Sequence, residues 1–137
     1  MPSVPPARPI RGVVFDFHHT LAHAGDPAVW LQQAWAGLGR DGDAATGLGP
    51  ADHEGAMAFL DRLWEHARDV DPDSERDLDP RRHREVFDRT MAQAPGIDLE
   101  LADALYSIMH RQWDVYDDVL PVLTALRDKG VRVAMLS

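Results

Sequence analysis

Apolar residues along the chain follow two patterns. Near each end they form a short run, Gly12-Val13-Val14-Phe15 closing on Asp16 and Val131 to Leu136. Short β-branched runs of this kind suit strands buried on both faces of a parallel sheet. Between them, apolar positions recur at intervals of three and four, the spacing of one helix face. Asp26-Pro27 has the form of an N-cap followed by Pro at the first helical position. The helix it opens carries Val29, Trp30, Leu31, Ala34 and Trp35. Residues 37–50 are rich in glycine and poor in apolar side chains, which reads as a loop. One amphipathic helix over 52–69 presents Ala56, Phe59, Leu60, Leu63, Trp64 and Ala67. The acidic, proline-containing stretch 69–80 is a connection.

Asp79-Pro80 repeats the cap-and-proline signature before a face of Val86, Phe87, Thr90, Met91 and Ala94, stopped at Pro95-Gly96. Asp98 caps the next helix, whose stripe is Leu101, Leu105, Ile108, Met109 and Trp113. A helix over 118–129 turns Val119, Val122, Leu123 and Leu126 inward. Its Pro121 falls in the first turn, where a missing N–H costs little, and Lys129-Gly130 is a favourable ending. The order is strand, four helices, helix, strand, with no solenoid repeat. A helical block of this length between two strands is too large for a plain crossover and reads as an inserted cap.

Composition narrows the function classes. A chain of 137 residues is at most one ordinary domain, and 45% apolar content suffices for a core. A formal charge of −9 sets it against nucleic acid and anionic membrane surfaces. No apolar run is long enough for a membrane span. Residues 1–10 are a proline-rich lead-in without the apolar centre of a secretory signal. The chain has no cysteine, which excludes disulfides and thiolate chemistry and fits the cytoplasm.

Candidate chemistry gathers at Asp16-Phe17-His18-His19-Thr20-Leu21. Ligands of open parallel sheets bind past the carboxyl ends of the strands, so Asp16 is placed to be a nucleophile or a metal ligand. It reads equally as a solvated acid that ends a strand. Thr20 has a hydroxyl to donate to Asp16 or to a phosphate oxygen, or to the local backbone. His18, His19 and His23 suggest a transition-metal site, but adjacent residues of an extended chain point oppositely, which sets His18 and His19 against sharing an ion. The four tryptophans fall mostly on helix stripes and read as core, with one of them free to face a substrate. The acidic connection reads as a solvated loop; its spacing is not that of an EF-hand.

Asp16-Phe17-His18-His19-Thr20-Leu21 resembles the first motif of the haloacid dehalogenase-like hydrolases, Asp-x-Asp-Gly-Thr-Leu after an apolar strand. The stretch from Asp117 to Ser137 resembles that family's lead-in helix, second core strand and second motif, which ends in Ser or Thr. The resemblance implies an α/β fold: a haloacid dehalogenase-like Rossmannoid core over 11–22 and 117–137, only two core strands of it present, with a mainly helical cap inserted over 23–116. It implies a hydrolase, a magnesium-dependent phosphatase of a small phosphorylated metabolite working through an aspartyl intermediate.

Asp16 matches the nucleophile, and Asp16 with the His18 backbone carbonyl matches the Mg2+ ligands. Thr20 and Ser137 match the groups that bind phosphoryl oxygens. His18 replaces the usual acid: an imidazolium can protonate a leaving group, or acid catalysis is lost. Dehalogenases of the family also lack the second Asp, which keeps a dehalogenase- or phosphonatase-like reaction open. His19 stands where Gly is common. The family's third motif, a Lys or Arg, and its fourth, further acids, have no match in this sequence. Two core strands alone would leave an unpaired edge and only partly covered apolar faces. The expectation is therefore the N-terminal part of a longer protein, inactive as these 137 residues alone, with a non-catalytic fragment or binding domain as the alternative.

Overall fold

The computed structural model describes residues 8–40 and 50–136. The chain is mixed α/β and mostly helical. It divides into two compact units, Gly25–Gln112 and the paired segments Met1–Ala24 and Trp113–Ser137. Of the expected loop, residues 41–49 lie outside the described residues, as do 1–7 of the lead-in.

In the helical unit, helix α1 (Pro27–Gly37) starts where Asp26 accepts the Ala28 N–H at 2.8 Å, with Pro27 in the first turn. Trp30, Leu31, Ala34 and Trp35 form its buried face, but Val29 lies off that stripe and is 45% exposed. The single helix expected over 52–69 is two, α2 (Pro50–Asp61) and α3 (Leu63–Val70). At the break, the Arg62 N–H bonds the Phe59 carbonyl at 3.1 Å, a bond to the third residue back that tightens the turn. Ala56, Leu60, Leu63 and Ala67 are all buried across it. Helix α4 (Pro80–Met91) is capped by Asp79 on the Arg81 N–H at 2.8 Å. Helix α5 (Leu99–Ile108) is capped by Asp98 on the Leu101 N–H at 2.7 Å.

Phe87, Met91, Leu101 and Leu105 join the buried face of α1 in one core. The Trp30 indole N–H donates to the Leu105 carbonyl at 3.0 Å. Carbonyls in the last turn of a helix lack a partner within it, and here a side chain of α1 supplies one. The Gly25 N–H donates to the Gln112 carbonyl at 2.8 Å, so the two ends of the unit meet.

The connection 71–78 is more than a solvated loop. Asp71 is only 2% exposed. Its carboxylate accepts the Arg76 N–H at 3.0 Å and the Arg76 guanidinium at 3.2 Å, with the Arg82 guanidinium at 3.5 Å. A carboxylate this buried persists because charge and N–H donors surround it.

In the other unit, strands β1 (Gly12–Asp16) and β4 (Arg132–Leu136) pair in parallel, Gly12 opposite Arg132 and Asp16 opposite Leu136. Strands β2 (Ala22–Ala24) and β3 (Trp113–Val115) pair antiparallel, Ala22 opposite Val115 and Ala24 opposite Trp113. Helix α6 (Val119–Asp128) precedes β4 and ends at Lys129, with Gly130 at φ 70°. That left-handed conformation lets the Gly130 and Val131 N–H groups return to the Arg127 and Leu126 carbonyls at 2.9 and 3.0 Å.

Three expectations are corrected in this unit. Trp113 is not on the α5 stripe: α5 ends at Ile108, a 3₁₀ turn follows, and Trp113 enters β3. The β1 run alone suits a strand buried on both faces; the apolar faces are instead only partly covered, as two strands by themselves imply, with Val14, Met135 and Leu136 61%, 54% and 66% exposed. Two strands and the single helix α6 are too few layers to cover them. On α6, Val119 is buried and Leu123 and Leu126 are half-buried, but Val122 is exposed.

Candidate functional site

Asp16 is the last residue of β1 and lies opposite Leu136, the last residue of β4. Both strands run the same way, so their carboxyl ends coincide. The ladder continues one step further, where the Phe17 N–H donates to the Leu136 carbonyl at 3.0 Å. There the chain folds back sharply. The Phe17 carbonyl accepts the Leu21 and Ala22 N–H groups at 3.0 and 3.1 Å, and the His19 N–H donates to the Ala22 carbonyl at 2.7 Å.

The turn requires His19 at φ 58°. In that region a β-carbon crowds the backbone, and glycine is the residue that enters it freely. The stretch is therefore not extended at His19, contrary to the premise used to separate the two histidines. Asp16, His18, His19 and Thr20 are exposed on this turn.

His18 packs by its ring. Its centroid is 4.8 Å from that of Trp113 and 5.2 Å from that of Phe17, and Phe17 and Trp113 are 5.8 Å apart. His23 has other partners: its Nδ1 lies 2.9 Å from the Ala24 carbonyl oxygen and its ring 4.8 Å from that of Tyr116. Among the described residues, no three His, Asp or Glu side chains gather as a metal-binding group. The Thr20 hydroxyl makes no hydrogen bond to Asp16 among the described residues. Thr20 instead borders a depression lined also by Phe15, Leu21, Asp118, Val119, Val122 and Leu123. Ser137 lies outside the described residues.

The oxygen donors bear on a magnesium ion. The Phe17 carbonyl is taken by the turn, whereas among the described residues no backbone N–H donates to the His18 carbonyl. Nor does the Asp16 carboxylate form an ion pair among them. Both are oxygen donors of the kind Mg2+ takes, an ion that commonly keeps water and substrate oxygens as well.

Asp71, Asp98 and His83 of the helical unit are perturbed. Burial pushes the Asp71 carboxyl up, but the Arg76 N–H, the Arg82 charge and the Arg76 side chain together outweigh it, leaving it below its ordinary value. The Leu101 N–H is the main cause holding Asp98 down, against burial and with help from Arg40. Burial lowers His83; Asp77 opposes this and Arg76 adds to it.

His83 is the centre of a row that the sequence did not suggest. Its ring lies 5.6 Å from Trp64 and 5.7 Å from Tyr106, and its Nδ1 is 3.1 Å from the Tyr106 hydroxyl. Arg76 lies over Trp64 at 5.9 Å and Arg84 over Tyr106 at 4.4 Å. These residues come from four elements, so no spacing along the chain announces them.

Among the described residues no helix is long and apolar enough to cross a membrane. Comparison of the chain with protein-family models, with curated proteins and with solved structures returns no match.

Proposed function

We propose that the chain carries a hydrolase site of the haloacid dehalogenase-like type, acting with magnesium on a small phosphorylated metabolite. The observation that carries this reading is the register of β1 and β4, with Asp16 at the shared carboxyl end of two parallel strands. Two further features support it. The tight turn after Asp16 takes up a left-handed residue at His19, where the family pattern has Gly. In sequence, the helical unit Gly25–Gln112 falls between the paired strands β2 and β3, as an insertion into a core would.

An Asp16 carboxylate oxygen bonds to phosphorus as the ester P–O bond breaks. The His18 imidazolium gives its proton to the leaving oxygen. Water then attacks the aspartyl phosphate, releasing phosphate and restoring the Asp16 carboxylate. Thr20 and Ser137 hold phosphoryl oxygens. The Asp16 carboxylate and the His18 carbonyl would hold magnesium, which would supply positive charge to the phosphoryl group.

His18 itself favours a second reading. An imidazole packed against Trp113 replaces the carboxyl that phosphatases of the type use, so attack of Asp16 on carbon, as in dehalogenases, is the alternative chemistry. A scaffold role without turnover is the third.

The test is phosphate release from a phosphomonoester panel and halide release from 2-haloacids, with and without Mg2+, by the protein at the length its host makes. Phosphate release that needs Mg2+ and is abolished by Asp16→Asn is expected. Halide release alone selects the second reading. Neither product, or turnover that survives Asp16→Asn, overturns the assignment of Asp16 as nucleophile.

A further inference from the structure

His18 has no hydrogen bond to its ring among the described residues, yet its ring is not free. Trp113 and Phe17 contact it from two directions, at 4.8 and 5.2 Å between centroids and at interplanar angles of 58° and 80°. Phe17 and Trp113 pack edge to face at 5.8 Å, so the three rings close a triangle. Offset and edge-to-face contacts at these separations are favourable and directional.

Phe17 is a chain neighbour of His18, but Trp113 is far from it in sequence and is brought there by backbone pairing. Ala22 is the shared anchor. It forms a bridge with His18, accepts the His19 N–H at 2.7 Å, and opens β2, whose pairing with β3 sets Trp113 opposite Ala24. Ala22 is fully buried. One short strand thus fixes the backbone of both the histidine and the tryptophan.

We propose that Trp113 is a positioning residue for His18, holding the imidazole in one orientation so that its proton is delivered along a fixed direction. This rests on the hydrolase reading, in which His18 is the acid. A side chain on an exposed turn otherwise samples several rotamers, and reactivity falls steeply once a catalytic group is misplaced. An indole contacting the imidazole on one side and Phe17 contacting it on another leave the ring few alternatives.

The experiment combines NMR with kinetics on the same preparations. In protein labelled at histidine, the His18 ring protons, assigned with His18→Gln, should be shifted upfield by the neighbouring indole. Trp113→Leu should move them to the random-coil position while the β4 amides stay in place, and Trp113→Phe should retain part of the shift. In turnover, Trp113→Leu should lower kcat by about 10²-fold, the size a misplaced group costs, with KM nearly unchanged. Trp113→Phe should recover most of that loss.

Unshifted His18 protons in the unaltered protein overturn the positioning role whatever the activity. So does a Trp113→Leu variant with intact β4 amides and unchanged kcat. An intact ring-current shift in a protein that turns over nothing overturns instead the hydrolase reading, and with it the purpose assigned to Trp113. If Trp113→Leu also displaces the β4 amides, Trp113→Phe alone decides, through its partial shift and recovered kcat.

Discussion

Gly55 in α2 offers a test in which two effects of known sign oppose each other. Glycine inside a helix costs ~0.5–1 kcal/mol relative to alanine, so Gly55→Ala would ordinarily stabilise the chain. A Cβ at Gly55, however, meets Cγ of Pro95 at 3.1 Å and Cβ of Pro95 at 3.3 Å. These contacts are a few tenths of an ångström too close. The proline ring can yield only by changing its pucker, which moves Cγ but leaves Cβ nearly in place. Its neighbours restrain it as well: Ala94 is 9% exposed and its N–H bonds the Met91 carbonyl at 3.0 Å, and Gly96 turns at φ 68°. Overpacking of this kind costs ~1–3 kcal/mol.

The penalty should exceed the helix gain, leaving Gly55→Ala destabilised by roughly 0.5–2 kcal/mol. With Pro95→Gly in the background the clash is gone, and Gly55→Ala should then stabilise by ~0.5–1 kcal/mol. The coupling in the double-mutant cycle is thus about 1–3 kcal/mol, the size of the clash itself. Urea unfolding followed by ellipticity at 222 nm on the four proteins measures it. If Gly55→Ala stabilises the chain equally in both backgrounds, Pro95 yields freely and the reasoning fails.

Trp30→Phe keeps most of the buried ring but leaves the Leu105 carbonyl without its donor, and should cost ~1–3 kcal/mol in the same urea assay; a loss below about 0.5 kcal/mol would mean another donor replaces the indole. Asp98→Ala should cost ~1 kcal/mol and Asp98→Asn much less, because Asn still caps the Leu101 N–H; equal losses from both would make the Arg40 pairing the dominant contribution. Folding lowers the pKa of His83 from 6.5, so the unfolded chain binds more protons below that pH, and stability present above 6.5 falls as the pH drops through the folded value. Thermal melts between pH 8 and 5 should show this fall, and His83→Phe should flatten it; identical slopes in both proteins would contradict the assignment. Asp71 and Asp98 are lowered from 3.8, so their contribution is held above that value and lost at more acid pH, separate from the His83 window.

The helix starts were legible because their signals are local. Asp26-Pro27, Asp79-Pro80 and Asp98 each place an acceptor beside unpaired N–H groups, and each caps a helix in the structure. The two parallel strands were legible as β-branched runs, and the partial cover of their apolar faces follows from there being only two of them, not from the runs themselves. Burial depends on what packs against a strand, and the apolar pattern of β1 and β4 is the same whether or not it is covered. Strands β2 and β3 are three residues each, Ala-His-Ala and Trp-Asp-Val, too short to show alternation, so Trp113 was assigned to the preceding helix stripe. Asp71 hid in an acidic run, where nothing separates it from its solvated neighbours until Arg76 and Arg82 converge on it. At the candidate site the residue types were visible but the geometry was not. The left-handed turn is occupied by His19, and histidine gives no warning of the positive φ that a glycine would have signalled.

The hydrogen bond from Gly25 to Gln112 has a consequence for how this chain can be edited. The helical unit enters and leaves through neighbouring residues, so to the remainder of the chain it amounts to the loop of a hairpin between β2 and β3. The entropy of closing a loop rises only slowly with its length. What lies between those strands can therefore be lengthened, shortened or exchanged with little effect on the register of β1 against β4. A chain in which a short turn joins Ala24 to Trp113 in place of residues 25–112 should keep Gly12 opposite Arg132 and Asp16 opposite Leu136.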